Sequence, residues 1–338
     1  MSNERAAKMP MSFREVADWG DDTWSDDVTG VAVDSRDRVY VLRRGAHPIT
    51  VLDRQGTVLD RWGKSCFSDR PHHISIGADD RVYVADDGGH RLRVFDTAGR
   101  PLETIGSGVP AATGRDEQGR PAVPTSLDQV TGGPPFNRPT KVVASRDGEL
   151  FVSDGYRNCR IHRLSKDREV IRSWGTFGAG EGSFVIPHSV AIDPRGRILV
   201  CDRENDRIQV FSPDGDLLDV WTDVRRPTDV TFDRQGRMYV TELARGPGDL
   251  KSWRLGPAET ERPGRMTVFA PDRSLAARIT METVNLLAPH AIAVDSAGAV
   301  YISEVPESFA RSSGRPVVPH RCLHKFEPRD ALSASRPG

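Results

Sequence analysis

Apolar and polar positions alternate along most of this chain in short runs, and the runs recur. The segments VTGVAVDSRDRVYVLRR (from Val28), PHHISIGADDRVYVADD (from Pro71), PTKVVASRDGELFVSDG (from Pro139), PHSVAIDPRGRILVCDR (from Pro187), PTDVTFDRQGRMYVTEL (from Pro227) and PHAIAVDSAGAVYISEV (from Pro289) align without gaps, and these six copies cover nearly the whole chain. In each, an alternating run leads through a polar turn, usually with glycine, into a second run such as RVYVAD. That is the pattern of a hairpin with one buried face. A third short run follows each hairpin (ITVLD, LRVFD, RIHRL, RIQVF, MTVFA, LHKFE), and in most copies a fourth does too (TVLDRWG, PLETIG, EVIRSWG, LLDVWT, LAARIT). No segment shows convincing helical spacing. Four strands per copy predict propeller blades, so the expected fold is all-β, one six-bladed β-propeller.

The sixth copy stops after its third run, at Phe326. The N-terminal FREVADWG, residues 13–20, repeats the fourth-strand pattern of VLDRWG and VIRSWG. It is therefore expected to close the ring as the outer strand of the last blade, leaving no open blade at the junction. The expected organisation is a tail over 1–12, a single propeller domain over 13–330 and a tail over 331–338.

Composition agrees and removes other classes. The chain has 31 Gly and 24 Pro, where average usage gives roughly 24 and 17; this excess of turn-formers argues against a helical bundle. With 37% apolar and 28% charged residues the chain can bury a core, and no stretch approaches the ~18 apolar residues of a membrane span. Its 47 basic and 48 acidic side chains leave a formal charge of −1, which gives no general pull on nucleic acid or an anionic membrane. The N-terminus MSNERAAKMPMSFREV lacks the apolar segment of a secretory signal, so the expected location is cytoplasmic. Cys66, Cys159, Cys201 and Cys322 are scattered without a CxxC pair, fitting reduced structural thiols.

Function is sought where the repeat is broken. Three insertions interrupt it, at about 109–136, 243–264 and 305–320. The first joins a fourth strand to the next first strand, and the others join second to third strands. Both kinds of loop emerge on one face, so all three are expected to crowd one end of the ring, as walls of a site or as solvated loops. The slot opening each first strand reads Thr29, His72, Thr140, His188, Thr228, His290, a strict alternation. First strands line the axis, so three imidazoles about 120° apart should converge on the channel. Three neutral imidazoles with an open fourth position are a catalytic Zn²⁺ donor set, although a single histidine at a strand start is more often structural. His73 is expected to point to the opposite side of its strand. Just past the second strands, acidic residues recur as caps between blades, while Arg44 and Arg203 share one slot in blades one and four, across the ring. Paired arginines near a metal suit a carboxylate, or they are exposed ion-pair partners. Tyr156, in the same region, is a candidate general base or a residue packed at a blade tip.

These residues also carry a family resemblance. The copies look like NHL repeats, and PHHISI, VSDGYRNCRI, IPHSVAID, DRENDRIQVF and APHAIAVDSAGAVYI resemble the lyase domain of peptidylglycine amidating enzymes, over about 28–326. The resemblance implies a six-bladed propeller holding zinc with three histidines. The implied reaction cleaves the N–Cα bond of a peptidyl-α-hydroxyglycine to an amide and glyoxylate. Residue by residue it implies zinc ligands His72, His188 and His290, a catalytic tyrosine at Tyr156, and active-site arginines Arg44 and Arg203. Where the family commonly has Met-Pro-His-Asp, this chain has Ala288-Pro289-His290-Ala291, which removes the side-chain ligand of the family's structural Ca²⁺. Arg157 stands where the family has a disulfide cysteine. No copper monooxygenase half is present in this sequence.

The leading expectation is therefore a zinc lyase acting on a small anionic α-hydroxy-amide made by a separate oxygenase, with no nucleic-acid or membrane partner. A metal-dependent hydrolase such as a lactonase, and a non-enzymatic NHL scaffold binding RNA or protein, are the alternatives.

Overall fold

The computed structural model describes residues 11–20, 24–109, 136–247, 259–279 and 286–329. They form six four-stranded antiparallel sheets arranged as a β-propeller. Blades one to five occupy 28–62, 71–105, 141–174, 187–221 and 227–279, each a plain meander with its first strand innermost. Blade six combines Pro289–Val294, Val300–Glu304 and Leu323–Pro328 with the N-terminal strand Phe13–Glu15, which pairs antiparallel with Leu323–Pro328 (Phe13 opposite Pro328).

Local coding explains the blades. The turn between first and second strands needs one residue in the left-handed region; Gly148, Gly196, Gly236 and Gly298 supply it at φ 75–85°, and Asp37 and Asp80 at φ 60° and 57°. An aspartate before the turn, as in Asp34, accepts the N–H groups of Arg36 and Arg38 at 3.0 and 2.9 Å. Second strands are buried along nearly their whole length while fourth strands such as Val58–Trp62 are largely exposed, so the core lies between neighbouring blades. One such layer joins Ala191, Leu199, Val210, Val230 and Val240 across blades four and five.

The acidic residue that ends the second strand in blades two to six is structural. Asp86, Asp154, Asp202, Glu242 and Glu304 accept backbone N–H groups from the segment leading into their own blade, for example Val185 N to Asp202 Oδ1 at 2.8 Å. All five also pair with a cation or histidine on the third strand: Arg91, His162, Arg207, Arg265 and His324.

At the junction of chain ends this pairing becomes a clasp. His324 Nδ1 lies 2.7 Å from Glu15 Oε1 on the N-terminal strand, and Nε2 lies 3.3 Å from Glu304 Oε1. His320 Nε2 meets the other Glu304 oxygen at 3.1 Å, and Arg321 adds positive charge near Glu15. Burial opposes charge on His324, but its carboxylate partners outweigh it and raise its pKa to about 9. A raised histidine pKa contributes stability that is complete below its ordinary value near 6.5 and is lost as pH rises through about 9, here of order 3 kcal/mol. The thermal midpoint is expected to fall between pH 7 and 9.5, and to fall less in His324→Gln; equal slopes would remove the clasp from the account.

Two expectations are corrected. The insertion over 305–320 contains an α-helix, Pro306–Ser313, where no helical spacing was read. His73 does not point away from the channel. Pro71 and His73 both pair across the hairpin while His72 is skipped, and this bulge brings His72 and its neighbour to the axis side together. Of the other insertions, residues 110–135 and 248–258 lie outside the described residues, as do the tail 1–10 and residues 330–338. All four cysteines are free thiols, and among the described residues no helix is long and apolar enough to cross a membrane.

Candidate metal centre and active site

The innermost strands Pro71–Ile76, Pro187–Ile192 and Pro289–Val294 bring His72, His188 and His290 together on the axis. Their ring centroids are 4.9, 4.7 and 4.7 Å apart, and their ligand atoms all lie within 4.8 Å of one another. Each Nδ1 meets the backbone carbonyl of the threonine in the next blade: His72 to Thr140 at 2.7 Å, His188 to Thr228 at 2.8 Å and His290 to Thr29 at 2.7 Å. A carbonyl only accepts, so every Nδ1 is the protonated nitrogen and every Nε2 offers a lone pair to the centre. Burial, reinforced by neighbouring positive groups, drives all three pKa values far down, His290 to about 3, so the cluster is neutral. The Thr half of the alternation was visible in the sequence as a pattern and received no role there.

Tyr156 follows blade three's second strand and leans over this cluster. Its hydroxyl donates to His72 Nε2 at 3.0 Å and lies 3.4 Å from His188 Nε2. Arg203 is almost buried, 11% exposed in its side chain, with Nε 2.8 Å from Glu204 Oε1 and its guanidinium carbon 6.0 Å from the Tyr156 ring centroid. Glu204 is shared with Arg226 and Arg245. Arg44, from the opposite blade, is more open at 27%; it donates to Ser308 Oγ of the inserted helix at 2.8 Å and lies 3.8 Å from Asp27. Its buried Nε has no hydrogen-bond partner among the described residues. Asp27 also accepts the N–H groups of Glu307 and Ser308, both at 2.9 Å, tying the helix start to the arginine's surroundings.

Arg70 was not singled out in the sequence. It immediately precedes Pro71-His72, pairs with buried Asp87 at 3.0 Å, and with Arg44 and Arg203 is close enough to interact electrostatically with Tyr156. Its position one residue before the His-bearing strand was the available signal.

Beneath the histidines lies a second axial layer, also unforeseen. Asp229 of blade five accepts from Lys141 Nζ of blade three at 2.5 Å and lies 3.0 Å from His73 Nε2 of blade two, while Ile292 N donates to it at 3.1 Å. All three side chains are buried, and the two partners hold the Asp229 carboxyl far below the usual range despite its burial. A cavity of about 270 Å³ opens below this layer. A groove of about 940 Å³ runs over the opposite face between the hairpin turns of blades three to five, away from the histidines.

Comparison with known proteins follows the same lines. The NHL repeat family matches residues 184–211. The chain is 31% identical over 180 residues to NHL repeat-containing protein 3 of Homo sapiens, covering 50% of this chain and 48% of that protein. It is 27% identical over 240 residues to peptidyl-alpha-hydroxyglycine alpha-amidating lyase 1 of Drosophila melanogaster, covering 66% and 42%. It thus spans about half the length of the curated relatives it matches. Among solved structures, a streptogramin B lyase superposes with TM-score 0.59 at 12% identity over 95% of this chain and 99% of that one. A gluconolactonase of Xanthomonas campestris does so with TM-score 0.56 at 14% identity over 90% and 88%. At those identities the structures speak for the propeller alone. The chain is a six-bladed propeller carrying an NHL repeat, and at modest identity its sequence relatives include proteins named peptidyl-α-hydroxyglycine α-amidating lyases.

Proposed function

We propose that this protein is a zinc-dependent carbon–nitrogen lyase that cleaves an α-hydroxyglycine-like N-acyl hemiaminal into an amide and glyoxylate. One observation carries the reading: three inward-facing imidazole lone pairs with a tyrosine hydroxyl set directly over them. The donor set fits zinc, because all three nitrogens are neutral, buried and fixed in one tautomer. His72, His188 and His290 would hold it. When bound, zinc supplies Lewis acidity toward the substrate's hydroxyl oxygen.

The chain's own residues do the rest. The Tyr156 oxygen, set over the lone-pair centre, acts as the general base that takes the hydroxyl proton. The electron pair left on oxygen forms the aldehyde carbonyl, the C–N bond breaks, and the amide nitrogen receives the proton back from Tyr156. Arg203, clamped by Glu204 beside the phenol ring, stabilises that negative charge. Arg44, more open and with an Nε that has no partner among the described residues, would hold the substrate carboxylate. The substrate is small and anionic, and its hydroxyl would come from a separate oxygenase. The Ca²⁺ that the resemblance also implied does not fit: Ala291 offers no side-chain oxygen, and the axial carboxylate Asp229 is taken by Lys141 and His73.

Zinc-loaded protein mixed with α-hydroxyhippurate is expected to release benzamide and glyoxylate, and His188→Ala to lose its zinc. Absence of glyoxylate with zinc bound would overturn the substrate class. Unchanged zinc content in His188→Ala would dismiss the metal site.

A further inference from the structure

We propose that the hydroxyls of Thr29, Thr140 and Thr228 are positioning groups for the trihistidine centre, closing its three ligands into one hydrogen-bonded circuit around the axis. The inference rests on the reading of the histidines as metal ligands.

The backbone creates the need. In blades two, four and six the ladder pairs the proline and the residue two further on, and skips the histidine between them: Pro71 and His73, Pro187 and Ser189, Pro289 and Ala291. Each ligand therefore sits on a bulge, as Thr29 and Thr228 do in blades one and five. The threonine of the preceding blade ties the ligand's strand start from outside its own blade. Thr29 Oγ1 lies 3.2 Å from Pro71 O, Thr140 Oγ1 2.9 Å from Pro187 O and Thr228 Oγ1 2.9 Å from Pro289 O, each nearer than the carbonyl across its own hairpin (Leu42 at 3.4 Å, Ser153 at 3.0 Å and Thr241 at 3.1 Å). The same threonines accept, through their carbonyls, the Nδ1–H of the preceding blade's histidine.

Followed around the ring, the links run His72, Thr140, Pro187-His188, Thr228, Pro289-His290, Thr29 and back to Pro71-His72. Every blade takes part, and each threonine acts on two ligands at once: its carbonyl orients one imidazole and its hydroxyl fixes the backbone of the next. All three threonines and His188 are fully buried, and His72 and His290 nearly so, so water does not compete for these bonds. A valine in the slot would satisfy the strand equally well; threonine adds, on the same branched shape, the hydroxyl that reaches the next blade. The circuit thus accounts for why the non-ligand slots share one residue type.

The test uses Thr228→Val, which removes the hydroxyl under Pro289 and keeps the shape, with Thr228→Ser as the rescue. Zinc affinity is measured by competition with a chromophoric chelator, and the imidazole N–H signals of the metal-free proteins are recorded by NMR. Thr228→Val is expected to bind zinc about 10–100-fold more weakly and to shift the His290 ring N–H signal, and Thr228→Ser to restore both. Parent-like affinity and an unmoved His290 signal in Thr228→Val would overturn the proposal. If the parent and His188→Ala bind zinc alike, the metal reading fails, and the metal-free spectra still decide whether the hydroxyl positions His290.

Discussion

Tyr156→Phe is expected to lower turnover of an α-hydroxy-amide by about 10²–10⁴-fold while leaving zinc content unchanged. The hydroxyl removed is the one polar group of that side chain, and it sits 3.0 Å from His72 Nε2 and 3.4 Å from His188 Nε2. A substrate hydroxyl brought to the same lone-pair centre would have its proton within reach of Tyr156 and of no carboxylate described around the cluster. The ring itself stays, so Arg203 keeps the surface it lies against. The same variant separates the lyase from a hydrolase on this scaffold: ester or lactone turnover driven by activated water would survive it. A Phe variant cleaving the α-hydroxy-amide at the parental rate would remove the tyrosine from the mechanism.

The second large effect concerns stability. Asp229→Asn is expected to cost about 3–5 kcal/mol and to lower the thermal midpoint by roughly 5–10 °C. The change keeps the shape and deletes the charge, leaving the Lys141 ammonium buried beside a neutral amide. Because the loss comes from an uncompensated ion rather than from the bridge's net worth, the double variant Lys141→Met with Asp229→Leu should recover much of it. Calorimetry decides: a shift under about 2 °C in the single variant, or strict additivity in the double, would show that the layer is not an ion pair in solution.

What could be read from the sequence and what could not divide along sequence distance. Blades were legible because each is encoded locally, by alternation and by a left-handed turn residue. The three histidines were legible because a repeat places equal slots at equal depth, so one alternating column became a cluster in space. The inserted helix was hidden because it is short and its start is held from elsewhere: the carboxylate receiving the Glu307 and Ser308 N–H groups belongs to Asp27, at the other end of the chain. Phe309 is buried against Leu243, Ala244 and Ala288, which come from two other segments. His73 was misassigned because strict alternation fails at a bulge, and nothing in PHHISI announces one. Lys141 and Asp229 passed as ordinary strand residues, since their pairing crosses the ring from blade three to blade five. Arg44 and Arg203 occupy one slot, yet Arg203 is neutralised by Glu204 while Arg44 leans on a serine of the insertion. That difference arises from neighbours the repeat does not specify.

The layer of Lys141, Asp229 and His73 has a kinetic consequence. A propeller axis is open in principle at both ends, but here a layer of buried charge crosses it beneath the histidines. In the proposed lyase, reactant and both products would then share one mouth, and a carboxylate-bearing product held by Arg44 would compete with the next reactant for the same guanidinium.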